Sequence, residues 1–200
     1  MTVLTAANQL TLLRLILVPI FVLCMLYSWP GWALTVFATA GLTDALDGLI
    51  ARRTGQLTTL GAWLDPMADK LLLVTTFVML TVPGLNLVNR FPVWLTVLVI
   101  SRDVAIVLTV AVVNLAVARR TFRPSFLGKA ATVIYVFTCG ITLVANYLRV
   151  QSVIVTIAIY ASLAVTLASG FDYVIRLTRF RAADVSSAQS VSHPGNRAAG

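Results

Sequence analysis

The chain has 200 residues, of which 59% are hydrophobic and 11% charged, with a formal net charge of +8 and a mean hydropathy of +0.93. So little charge cannot cover the surface of a water-soluble domain, so the composition points to an integral membrane protein of one domain. The basic excess sits at the ends of apolar runs, where it marks a membrane surface and not a nucleic-acid face.

Six apolar runs of spanning length follow one another. The first, residues 10–29, ends at Pro30-Gly31, lacks a basic leader and is not expected to be a cleaved signal. The second is 32–51, closed by Arg52-Arg53; the third is 60–82, closed by Pro83-Gly84; the fourth is 92–118, closed by Arg119-Arg120. The fifth and sixth are 126–148 and 150–175. None alternates apolar and polar residues as a barrel strand does, so the fold class expected is all-α, a polytopic protein of six transmembrane helices. Residues 1–181 form the membrane domain. Residues 182–200, rich in Ala, Ser, Gly and Pro, are expected to be a disordered cytosolic tail.

Arginine and lysine set the orientation. Arg52, Arg53, Arg119, Arg120, Arg123, Lys129, Arg176, Arg179 and Arg181 fall on one side, and only Arg90 and Arg149 on the other. The first side is therefore the cytoplasm, with both termini inside a bacterial inner membrane and Arg14 near the inner end of the first helix. Cys24 and Cys139 lie inside apolar runs and read as packing residues, and His193, the sole histidine, lies in the tail.

The acidic residues are distributed unlike the basic ones. There is no glutamate, and of seven aspartates only Asp184 lies outside the apolar runs. A carboxylate in a membrane helix costs about 2.5–3.5 kcal/mol and is by default a functional hypothesis. Asp44 and Asp47 are three apart on the second helix, and Asp65 and Asp69 four apart on the third, so each pair shares a helix face. Two antiparallel helices joined by a short loop bring all four to one level, about 7–12 Å below the cytosolic surface. Four carboxylates so close would drive one another toward protonation unless cations join them. Oxygen-only donors favour Mg²⁺, Mn²⁺ or Ca²⁺ over zinc, and four suit a pair of metals, a common device of phosphoryl chemistry. Gly48, Ala51 and Gly61 let a bulky group approach the helix backbones, or serve helix packing. Arg52 suits a phosphate or marks topology.

Asp44, Asp47, Gly48, Ala51, Arg52, Gly61, Asp65 and Asp69 match the pattern D-x2-D-G-x2-A-R-x8-G-x3-D-x3-D at every position. This resembles the signature of the CDP-alcohol phosphatidyltransferases, and the likeness extends to NQLTLLRLILVP at 8–19, SRD at 101–103 and RPSFLGK at 123–129. The resemblance implies a six-helix membrane enzyme, usually a homodimer, that binds CDP-diacylglycerol from the cytosol. It implies that Asp44, Asp47 and Asp65 hold two divalent cations, Mg²⁺ or Mn²⁺, on the donor pyrophosphate. Asp69 would complete the metal site and act as general base. Thr43, Asp44, Gly48, Ala51 and Gly61 would line the nucleotide pocket, with Arg52 near the phosphates.

The acceptor is legible only in outline. ISRDV and RPSFLGK resemble cardiolipin synthases of the eukaryotic type, whereas typical phosphatidylglycerophosphate synthases read ARE here and carry another arginine two turns on. The run VAIVLTVAVV is wholly apolar, leaving Arg102, Arg123 and Lys129 as acceptor-binding candidates. Phosphatidylglycerol is the acceptor expected, glycerol 3-phosphate the alternative. Arg102 with Asp103, and Asp172 with Arg176, also read as structural ion pairs. A cation-coupled transporter would place its carboxylates at the bilayer midplane on broken helices, so it ranks well below the enzyme.

Overall fold

Six α-helices follow in the order α1 (Ala6–Leu26), α2 (Pro30–Thr54), α3 (Thr59–Thr81), α4 (Val93–Ala116), α5 (Phe126–Tyr147) and α6 (Val153–Val191). They belong to a computed structural model that describes the backbone of residues 6–54, 59–116 and 126–191, and the side chains of residues 12–43, 70–108, 127–173 and 175. Among the described residues there is no strand.

Each helix matches one apolar run, and the breaks are made by local chemistry. Pro30 opens α2 at the first helical position, where its missing N–H is no loss. α1 and α5 end alike. Trp29 N–H donates to Cys24 O at 2.8 Å and Ser28 N–H to Met25 O at 3.2 Å, with Ser28 left-handed at φ 56°. Val150 N–H donates to Ala145 O at 3.0 Å and Arg149 N–H to Asn146 O at 3.2 Å, with Arg149 at φ 53°. Both are Schellman closures in which a residue with a Cβ takes the position glycine usually holds, at a cost of about 1–2 kcal/mol. Glycine takes the left-handed place after α3, where Gly84 has φ 100°.

α1 packs against α2 and α3, α5 against α2, α3 and α6, and α4 against α3 and α6. The centre is aromatic and aliphatic. Phe77 of α3 meets Tyr135 of α5 edge-on at 5.6 Å and Phe91 at 5.1 Å, and Leu80, Leu95, Val99, Cys139 and Leu143 are buried around them. Cys24 and Cys139 are buried and free, in keeping with a packing role. Hydroxyls inside this apolar bundle are satisfied by their own helix or the next one. Thr76 Oγ1 donates to Leu72 O at 2.8 Å, while Tyr135 Oη and Thr166 Oγ1 lie 2.6 Å apart across α5 and α6, as Thr138 Oγ1 and Ser162 Oγ do at 2.8 Å.

Many large apolar side chains also face outward. Leu12, Ile16, Leu23, Val97, Phe137, Ile157 and Phe171 are among many large exposed hydrophobic side chains. Among the described residues, two helical stretches are long and apolar enough to cross a membrane, Leu127–Tyr147 and Val153–Tyr173; Leu12–Leu26 and Lys70–Thr81 are shorter apolar stretches. Charges at Lys70 and at Arg102-Asp103 interrupt the apolar character of α3 and α4. α6 runs 39 residues, about 58 Å, and carries its helix to Val191. Residues 182–191, expected from composition to be disordered, are therefore helical: alanine is the strongest helix former, and an established helix extends without a new nucleation cost.

Candidate active site

The motif lies where α2 ends and α3 begins. α2 carries Thr43, Asp44, Asp47, Gly48, Ala51 and Arg52, and α3 carries Gly61, Asp65 and Asp69. Only residues 55–58 separate the two helices, so all of these positions lie within the last turns of one and the first turns of the next. Thr43 is half-buried, and its hydroxyl is turned back on its own helix, 2.9 Å from both Thr39 O and Ala40 O. The side chains of the other motif residues lie outside the described residues, and Arg123 does so entirely. Lys129 is exposed near the start of α5.

The register of α1 against α2 relates the first helix to the motif. The rings of Phe21 and Phe37 meet with centroids 6.4 Å apart, across two helices joined by a three-residue turn. Arg14 is seven residues before Phe21, and Asp44 is seven residues after Phe37. Seven residues are close to two full turns, so in this antiparallel pair positions 14 and 44 recur on the facing sides at one level. Arg14 is 1% exposed, the largest fully buried side chain described. A guanidinium taken so far from water is tolerable only where anions or acceptors compensate it. α1, which carries this buried cation, packs on both α2 and α3, the helices that carry the aspartates.

A second charged group lies on the other flank of α3. Lys70, the residue after Asp69, places Nζ 3.5 Å from Asp103 Oδ2 on α4. Arg102 Nη1 donates to Asp103 Oδ1 at 2.7 Å, and Arg102 Nε donates to Ser169 Oγ on α6 at 3.1 Å. The Arg102–Asp103 pairing read from sequence is present, and it reaches two further helices. Sequence alone puts Arg14 near the inner end of the first helix and gives Lys70 no role, although a single arginine eight residues into α1 is itself a signal of burial.

Among the described residues no group of three or more His, Cys, Asp or Glu gathers at one point. The donor set nevertheless fits a hard divalent cation: four aspartates on two adjoining helix ends, with no histidine or cysteine in either.

Residues 4–168 match the family profile described as CDP-alcohol phosphatidyltransferase. The chain belongs to that family. It is 38% identical over 184 residues to a probable phosphatidylglycerophosphate synthase of Mycobacterium tuberculosis, covering 86% of this chain and 81% of that protein. It is 39% identical over 139 residues to a cardiolipin synthase (CMP-forming) of Streptomyces coelicolor, covering 65% and 60%. It is 34% identical over 188 residues to the human cardiolipin synthase (CMP-forming), covering 84% and 60%. The chain is thus a phosphatidyltransferase of phospholipid synthesis, as the motif led one to expect.

Proposed function

We propose that this phosphatidyltransferase spans the membrane six times with both termini in the cytoplasm, and that it moves the phosphatidyl group of CDP-diacylglycerol onto phosphatidylglycerol, giving cardiolipin and CMP. The apolar exterior and the six apolar runs support the membrane reading. Asp44, Asp47, Asp65 and Asp69 are the residues that would hold two Mg²⁺ or Mn²⁺ ions, which when bound neutralise pyrophosphate charge and sharpen the phosphorus as an electrophile. Asp69 takes the proton of the acceptor hydroxyl as its oxygen bonds to the phosphorus next to diacylglycerol. The bond from that phosphorus to the CMP oxygen breaks, and CMP leaves with the electron pair. Thr43, Gly48, Ala51 and Gly61 would leave room for the nucleotide against the helix backbones, and Arg52 would meet its phosphates.

One observation favours phosphatidylglycerol. Arg102, the acceptor candidate on α4, is bonded to Asp103, which also pairs with Lys70. Within this cluster, leaving Arg123 and Lys129 outside the count, two cations and one anion leave a single positive charge, which suits a phosphodiester monoanion. The dianion of glycerol 3-phosphate, which has no acyl chains to hold it, needs a denser set of cations. Glycerol 3-phosphate remains the second reading because of the likeness to the M. tuberculosis protein over most of both chains. Vesicles containing CDP-diacylglycerol and each acceptor in turn separate the two. Cardiolipin formation is expected; phosphatidylglycerophosphate with no cardiolipin would overturn the choice.

A further inference from the structure

Lys70 sits awkwardly for a metal site. It follows Asp69 directly, on a helix where successive residues are about 100° apart, and its flexible stem could return the ammonium to the carboxylates of its own turn. An ammonium there would act as a built-in counter-ion and compete with any divalent cation. The side chain is engaged on α4. Though 45% exposed, it extends to α4, with Nζ 3.5 Å from Asp103 Oδ2.

Asp103 is equipped to hold it. Its side chain is 13% exposed, and its other oxygen accepts from Arg102 Nη1 at 2.7 Å. Arg102 is fixed in turn, because its Nε donates to Ser169 Oγ at 3.1 Å and Ser169 Oγ donates to Thr166 O at 3.1 Å on α6. The carboxylate is therefore anchored through α4 to α6 before it meets Lys70.

We infer that Asp103 is a positioning residue for the aspartate motif: it draws the Lys70 ammonium onto α4 and shares its charge with Arg102, leaving the carboxylates of α2 and α3 free to take metal. This rests on the metal-binding reading proposed above. A plain interhelical brace would hold α3 to α4 equally well, but its loss could not be repaired by removing the lysine.

The test is Mn²⁺ affinity, read from the electron paramagnetic resonance of free Mn²⁺ over the purified full-length protein in detergent without lipid substrate. Asp103→Asn is expected to weaken Mn²⁺ binding roughly tenfold, because two uncompensated cations then stand beside the site. Adding Lys70→Gln to Asp103→Asn is expected to restore affinity to within about threefold of the parent, the coupling that neighbouring charges show. Asp103→Glu should bind like the parent. Unchanged affinity in Asp103→Asn, or no recovery in the double variant, overturns the inference. If Asp103→Asn does not fold, Lys70→Gln alone decides: affinity equal to or above the parent is expected, and weaker binding overturns it. Failure of the metal reading looks different, because the parent itself would then bind no Mn²⁺ or would bind it equally well after Asp44→Asn.

Discussion

The two ends of the helix bundle are held together by different physics. At the end away from the motif, the connections are tied to one another by neutral hydrogen bonds, although Arg90 and Arg149 also lie there. Asn89 N–H donates to Asn146 Oδ1 at 2.7 Å and Asn146 Nδ2 donates back to Asn89 O at 3.0 Å, while Asn89 Nδ2 reaches Val150 O at 2.8 Å. One asparagine pair thus joins the α3–α4 connection to the α5–α6 turn with every amide used. Tyr147 closes on α2 nearby, 3.0 Å from where a Cβ on Gly31 would stand. At the motif end the helices carry four aspartates, a buried arginine on α1 and a lysine and arginine sharing one carboxylate. Neutral hydrogen bonds are complete within the chain. Charges in an apolar bundle are complete only when anions and cations balance, and the metal ions proposed above would enter that balance at the motif end.

The widest separation between the ends is expected from metal removal. EDTA should abolish CMP release from CDP-diacylglycerol, and Mg²⁺ or Mn²⁺ should restore it, with little change in thermal stability at the neutral end. Full turnover in metal-free buffer would break the comparison at its root. Next comes Asp69→Asn, which leaves an oxygen donor but no base. Turnover should fall by about 10²–10⁴, the usual worth of a general base, with CDP-diacylglycerol binding largely kept. Near-normal turnover would give the proton to another group.

Arg14 sharpens the contrast. Arg14→Gln removes a buried cation level with position 44, and breaking one side of a buried charge arrangement costs about 3–5 kcal/mol. The expected outcome is lower stability together with a changed Mg²⁺ dependence of turnover, and better retention of both in Arg14→Lys. A stability loss with an unaltered Mg²⁺ curve would make Arg14 a packing residue of α1 alone.

How much of this was legible beforehand follows from the range of each interaction. The helices were, because an apolar run and its Pro-Gly or Arg-Arg stop are local features; the third run, 60–82, became Thr59–Thr81. The motif was legible because fixed spacing on two adjoining helices is also local. Arg14, Lys70 and the Asn89–Asn146 pair were not, since their meaning depends on which helix lies beside them. Phe21 against Phe37 sets the level of Arg14, and α4 packing on α3 gives Lys70 its partner. The end of α6 is illegible for a different reason: richness in Ala, Ser, Gly and Pro suggests disorder, while helix continuation depends on the turn before it.

The smallest effect on chemistry belongs to the neutral end. Asn146 is buried, and its amide both accepts from Asn89 N–H and donates to Asn89 O. Asn146→Ala removes both partners at once and leaves two backbone groups of the α3–α4 connection without them. Each buried orphan costs about 1–3 kcal/mol, less where water can enter. The melting temperature of the detergent-solubilised protein should therefore drop clearly. Turnover per folded molecule and its Mg²⁺ dependence should match the parent, because the motif lies at the other end of α2 and α3. Asn146→Asp is a sharper probe. It keeps the acceptor for Asn89 N–H, loses the donor to Asn89 O and puts a carboxylate in place of a buried amide, so it should be less stable than the parent. If either variant shifted the Mg²⁺ curve while remaining folded, the two ends would be coupled along the helices, and the division between a neutral brace and a charged site would no longer describe the molecule.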